Sequence, residues 1–136
     1  MRAVLDTNLF LSALLSDRGP PALILEAWRA GRFDLVTSRE QIAELKRAAR
    51  YEKLRRFISR AALGRLVNGL HAAEILLVRL RYAGGSPDPD DDYLLAMALA
   101  TDADYLVTGD RALLSLRRVA HTRVVAPRRF GGLLAG

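Results

Sequence analysis

The 136-residue chain contains no cysteine, which excludes disulfides, thiolate nucleophiles and cysteine-ligated zinc together. Histidine is scarce as well. The two histidines, His71 and His121, fall outside every motif described below and read as ordinary surface or packing residues. No run of about 18 uncharged apolar residues is present, so no membrane-spanning helix is expected. Met1 leads at once into a strand pattern and an Asp, which speaks against a signal peptide. Lysine is nearly missing: of 21 basic residues only Lys46 and Lys53 are lysine, leaving 19 arginines. Repeats, low-complexity tracts and interdomain linkers are also absent. These absences leave one soluble, cytoplasmic domain spanning 1–136 as the expectation.

What the chain does have is a globular composition. Hydrophobic residues make up 51%, enough at this length to bury a proper core. Net charge is +6, and its placement says more than its size. Lys46, Arg47, Arg50, Lys53, Arg55, Arg56, Arg60 and Arg65 stand close together against a single acid, Glu52. Such a cluster attracts polyanions, and the arginine fork suits phosphate. The plainer alternative is a solvated helix face.

Strands alternate with helices along the chain. Short β-rich runs predict strands at Arg2–Leu5, Phe33–Thr37, Tyr105–Thr108 and Thr122–Val125. Ala73–Val78 reads as a strand or as an extension of the helix before it. Apolar spacing at Leu9, Phe10, Ala13 and Leu14 predicts a helix over Asn8–Ser16, and Pro21 opens another reaching Ala30. Ser38 with Gln41 three positions on reads as a capping box, opening a helix to Ala49. A further helix is expected over Leu54–Leu70. The helix from Pro89 to Ala100 is apolar all round at Leu94, Leu95, Met97, Ala98 and Leu99, so it should be buried on several sides. A short helix follows at Arg111–Leu116. The pattern implies an α/β fold, a parallel sheet of four to five strands with helices on both faces. Ligands bind such sheets beyond the carboxyl ends of the strands. Leu14, Leu15 and Trp28 on the first two helices are either a dimer face or simply core.

Acids gather where that rule puts a site. Asp6 ends the first strand, where a buried carboxylate is costly unless its charge is compensated. Glu44 sits at the edge of its helix's apolar face. Asp88, Asp90, Asp91 and Asp92 crowd the start of the Pro89 helix. Asp110 follows the "YLVT" strand through Gly109, which is expected to permit a sharp turn. Each acid alone has an ordinary explanation as a helix cap or dipole partner. Together in one partly dry cleft they would repel one another, and a cation is the expected compensation. Carboxylates without His or Cys select hard ions, Mg2+ or Mn2+. A pair of such ions can clamp both oxygens of a phosphodiester displacement.

At these residues the chain resembles the PIN domain family, in its small prokaryotic branch of toxin–antitoxin toxins related to the VapC type. The matching pieces are "VLDTNLFLSALL", "TSREQIAEL", "DPDDDYLLAMALATDADYLVTGDRALL" and "VVAPRRF". The resemblance implies a three-layer α/β/α fold and a metal-dependent endoribonuclease. It assigns Asp6, Glu44 and Asp110 to the acidic site, with Asp91 as the remaining acid and Asp92 as its nearest substitute. It also makes Asn8 and Thr108 polar neighbours that orient carboxylates or water. A cognate antitoxin and a homodimer are family-level expectations.

The mechanism expected from these readings is hydrolysis by a water whose pKa a bound Mg2+ or Mn2+ lowers. Lys46, Arg47, Arg50, Arg55, Arg56 and their neighbours would hold RNA, expected to be single-stranded. Two other α/β classes fit less well. A receiver domain would need a second acid beside Asp6 and a late lysine; a dehalogenase-type phosphatase would need Asp where Asn8 stands. A PIN-like module that binds RNA or protein without cutting is the remaining alternative.

Overall fold

The computed structural model describes residues 1–80 and 93–136. Its β1 (Arg2–Leu5) runs through the middle of a mostly parallel sheet. On one side β1 pairs with β2 (Asp34–Ser38), which in turn pairs with β3 (Ile75–Leu77). On the other side lies β4 (Tyr105–Val107), followed by β6 (Thr122–Val125) and the antiparallel edge strand β5 (Arg118–Val119). Among the described residues the sheet therefore has six strands in the order β3-β2-β1-β4-β6-β5.

Alternation of side chains along the strands divides the core into two layers. Ala3, Leu5, Leu35, Val107 and Val125 face one way. They pack against α1 (Thr7–Leu15), α2 (Pro20–Arg29), α3 (Arg39–Ala49), α5 (Arg60–His71) and α8 (Pro127–Ala135). Val4, Val36, Leu106 and Val124 face the other way, onto α6 (Tyr93–Thr101) and α7 (Arg111–Ser115). This is the three-layer α/β/α arrangement.

Several local expectations are corrected. The single helix over Leu54–Leu70 is two, α4 (Glu52–Arg55) and α5, because Ser59 caps α5 by accepting the Ala62 N–H at 3.0 Å. The extra strand β5 turns into β6 through Ala120, which adopts a positive φ of 52°. A non-glycine residue there gives no turn signal in the sequence. The closing α8 was hidden by Gly131 and Gly132, which disfavour a helix. It forms because Phe130 is wholly buried, with ring centroids 5.3 Å from Phe33 and 5.5 Å from Tyr105. That burial stabilises by about 2 kcal/mol. The helix α6 is buried through Leu94, Met97 and Ala98, while Leu99 is 43% exposed. Its expected start at Asp88 and Pro89 lies outside the described residues. Trp28 is core rather than a dimer face: it is buried and its indole N–H donates to Glu74 at 3.1 Å.

The opposite, amino-terminal edge of the sheet carries a pH-sensitive tie. Asp104 accepts the Arg2 main-chain N–H at 2.8 Å and pairs with His121 at 2.9 Å. The Arg2 N–H, then His121, hold the Asp104 carboxyl below its ordinary value. A depressed folded pKa contributes stability above the unfolded value of about 3.9, lost as pH falls through the folded value. Asp104→Asn should therefore lower stability at pH 7 by less than about 1 kcal/mol, because the carboxylate side chain is 38% exposed and screened. In denaturant melts the gap to wild type should close below about pH 4. A gap independent of pH would mean the effect is packing, not charge.

Candidate active site

The chain passes from β1 to β2 and β3 on one side, then crosses to β4 on the other. The switch point therefore falls between β1 and β4, where a crevice opens beyond the strands' carboxyl ends. Asp6 directly follows β1, and its own N–H donates to the Val107 carbonyl at 2.9 Å. It is the N-cap of α1: Oδ1 accepts the Asn8 N–H at 3.1 Å. Its other oxygen, Oδ2, accepts the Thr108 hydroxyl at 2.7 Å.

Thr108, wholly buried, ties this acid to the next. While its hydroxyl donates to Asp6, it accepts the Asp110 N–H at 3.0 Å. Asp110 in turn caps α7, its Oδ1 accepting the Ala112 N–H at 2.8 Å. Both capping explanations thus hold, yet each carboxylate keeps lone pairs free, since an ionised carboxylate offers about four. Gly109 does not make the turn by special geometry. Its φ is ordinary and a Cβ there would meet nothing within 4 Å.

Glu44 reaches the same place from α3. Asp6, Thr7, Asn8, Glu44, Tyr93 and Asp110 line one cleft of about 220 Å³. The third carboxylate is already engaged, for Glu44 Oε2 accepts from the Arg47 guanidinium at 2.7 Å. That hydrogen bond, and the charge behind it, raise the Arg47 pKa. With side chains 65% and 36% exposed, the pair adds little stability.

Of the expected site residues, then, Asp6, Glu44 and Asp110 meet in one cleft, with Thr108 beneath and Asn8 at its rim. Asn8 serves Asp6 through its main-chain N–H rather than its carboxamide. Asp91 and Asp92 lie outside the described residues. Arg47 folds onto Glu44, whereas Lys46, Arg50 and Arg55 stand exposed around a separate groove, and Arg56 is exposed beside it. The premise that Asp6 is intolerable without a cation is corrected. The carboxylate is half-buried, and the α1 amino terminus and Thr108 already meet its charge.

Sequence reasoning missed the buried support under the cleft. Ser38 does accept the Gln41 N–H at 3.1 Å, but the Gln41 side chain does not complete a capping box. Wholly buried, its amide donates to the Leu5 carbonyl at 2.6 Å and accepts the Thr37 hydroxyl at 2.7 Å. It also approaches Thr7, whose hydroxyl is hydrogen-bonded to that of Tyr93. The available signal was spacing: Gln41 continues the inward stripe of Leu45 and Ala48, where a polar residue needs buried partners.

The lining fits a divalent ion in kind, being hard carboxylate and hydroxyl oxygen. It is not a finished cage: among the described residues no group of three or more His, Asp or Glu side chains is arranged to hold a metal ion.

Fold and cleft together define an α/β/α domain whose site is built from carboxylates at the sheet's switch point. The PIN domain family profile matches residues 2–112, and the chain belongs to that family. PIN domains are generally nucleases that use divalent metal ions, so nucleic acid is the implied substrate. The chain is also 24% identical to Uncharacterized protein MJ1680 of Methanocaldococcus jannaschii, over 96% of this chain and 89% of the archaeal one. No solved structure matches it significantly. Among the described residues no helix is long and apolar enough to cross a membrane.

Proposed function

We propose that the protein is a metal-dependent endoribonuclease that cleaves single-stranded RNA in the cytoplasm as the toxin of a toxin–antitoxin pair. What carries the reading is the meeting of Asp6, Glu44 and Asp110, from three distant parts of the chain, in one cleft. These three, with Asp91 or Asp92 as the fourth acid, would hold Mg2+ or Mn2+. When bound, the ion supplies acidification of water and neutralises charge on the phosphoryl oxygens. Thr108 holds the Asp6 carboxylate in place and thereby positions it relative to Asp110. Lys46, Arg50, Arg55 and Arg56 attract the phosphate backbone, and Arg47 joins them once Glu44 turns to the ion. A small antitoxin encoded beside the toxin would cover the cleft.

Incubation of the purified protein with labelled single-stranded RNA tests this. EDTA should stop cleavage, and excess Mn2+ or Mg2+ should restore it. Cleavage indifferent to chelation would exclude the metal scheme. A second reading, binding without cleavage, is favoured by the Glu44–Arg47 pair, which occupies an acid the reaction needs. Tight RNA binding with no cleavage in Mn2+ would select it.

A further inference from the structure

Beyond the acidic cleft, α3, α4 and α5 enclose a second groove of about 710 Å³. Lys46, Arg50, Arg55 and Arg60 stand around it. Its floor includes the buried Ile58 and Val67. Among the described residues the exposed large aromatics are Tyr51 and Phe57, on either side of α4, at 59% and 60%. Both rings adjoin the basic cluster in the chain: Tyr51 directly follows Arg50, and Phe57 directly follows Arg55 and Arg56. Arg56 lies 4.9 Å from the Phe57 ring centroid, keeping a flat cation against the ring.

Basic surfaces that also carry exposed rings are how single strands are held without sequence readout. Phosphates follow the charges and bases stack on the aromatics. Duplexes hide their base faces and gain nothing from such rings. The geometry points to a single-strand binding platform on α3–α5, in which Tyr51 and Phe57 stack RNA bases while Lys46, Arg50, Arg55 and Arg60 hold the backbone. This rests on the nuclease reading for its ligand, a single strand, and adds two base-stacking residues at a site away from the acids. The helix α3 joins the two. Glu44 and Ala48 face the acidic cleft, whereas Lys46, Ala49 and Arg50 face the groove. Between them lies Arg47, exposed and hydrogen-bonded to Glu44 at 2.7 Å. A strand lying across Arg47 would thus reach both. A protein partner with an acidic segment would satisfy the charges but not the rings.

The test is binding of a fluorescent 12-nucleotide single-stranded RNA to the full chain by anisotropy, in EDTA, so that cleavage plays no part. Tyr51→Ala and Phe57→Ala should each weaken binding about tenfold, with the salt slope unchanged. Tyr51→Phe should keep wild-type affinity. Arg50→Ala and Arg55→Ala should each reduce the slope of log affinity against log salt by about 0.7. Duplex RNA and poly-glutamate should bind more weakly than the single strand and ignore the ring substitutions. Wild-type affinity in the Tyr51→Ala, Phe57→Ala double variant would overturn the platform, as would poly-glutamate binding as tightly as RNA. Failure of the nuclease reading shows differently: ring-dependent RNA binding intact in EDTA, but no cleavage in Mn2+.

Discussion

Asp6→Asn is expected to cut RNA cleavage at least about a hundredfold in Mg2+ or Mn2+, the scale of losing one preorganised stabiliser of developing charge. The melting temperature in EDTA should stay within a few degrees of wild type. Charge alone argues that the variant melts no lower, because one of three carboxylates in a cleft is neutralised. The structure adds a term of opposite sign. Asp6 accepts the Asn8 N–H on one oxygen and the Thr108 hydroxyl on the other. Asn has a single carbonyl oxygen, so keeping the cap requires Thr108 to accept from the new amide instead. Thr108 already accepts the Asp110 N–H, and its two lone pairs allow both bonds. Its own proton then loses a partner, at about 1 kcal/mol. Relief of repulsion across a solvated cleft is of similar size, roughly 1 kcal/mol. The two nearly cancel in stability, while the effect on activity remains. Single-turnover cleavage and a thermal melt on the same preparation check this. Wild-type cleavage would remove Asp6 from the reaction, and a melt lowered by more than about 10 °C would make it a structural cap first.

Gln41→Leu is expected to be the most destabilising exchange near the cleft, although it keeps size and adds apolar surface. The side chain bonds simultaneously to the Thr37 hydroxyl and the Leu5 carbonyl, all of it out of water. Leucine would orphan both groups, at about 1–3 kcal/mol each. Against a partial return from leucine burial, a net loss of about 3 kcal/mol is expected, lowering the melting temperature by roughly 10 °C. Because Leu5 immediately precedes Asp6, cleavage should fall as well. A melt within about 2 °C of wild type would show that the network is dispensable and that α3 is docked by Ile42 and Leu45 alone.

The fold was largely legible because each element carries its own periodicity. The β1 and β4 strands and the capped start of α3 stand at or within a residue of where pattern puts them. Two of the misses share a cause: a local signal was outweighed by something distant. Gly131 and Gly132 argue against α8, but Phe130 finds a pocket between Phe33 and Tyr105. Ala120 gives no hint of a turn, and the β5–β6 pairing imposes one. At the site, acids at strand ends were visible one by one. Thr108 was expected as a polar neighbour, but its bond to Asp6 was not, nor were Arg47 on Glu44 and the buried bonds of Gln41 to Thr37 and the Leu5 carbonyl.

Amino-acid order by itself determined the alternation of strands and helices, the two-sided apolar pattern of β1, and the presence of an acid after β1 and after β4. It did so because a strand's pleat and a helix's turn are read over a few residues. Only the tertiary structure decided that those two strands are neighbours and that one buried hydroxyl spans their ends. Any parallel strand can satisfy the hydrogen bonds of any other, so pairing is chosen by how the whole set of helices covers both faces of the sheet.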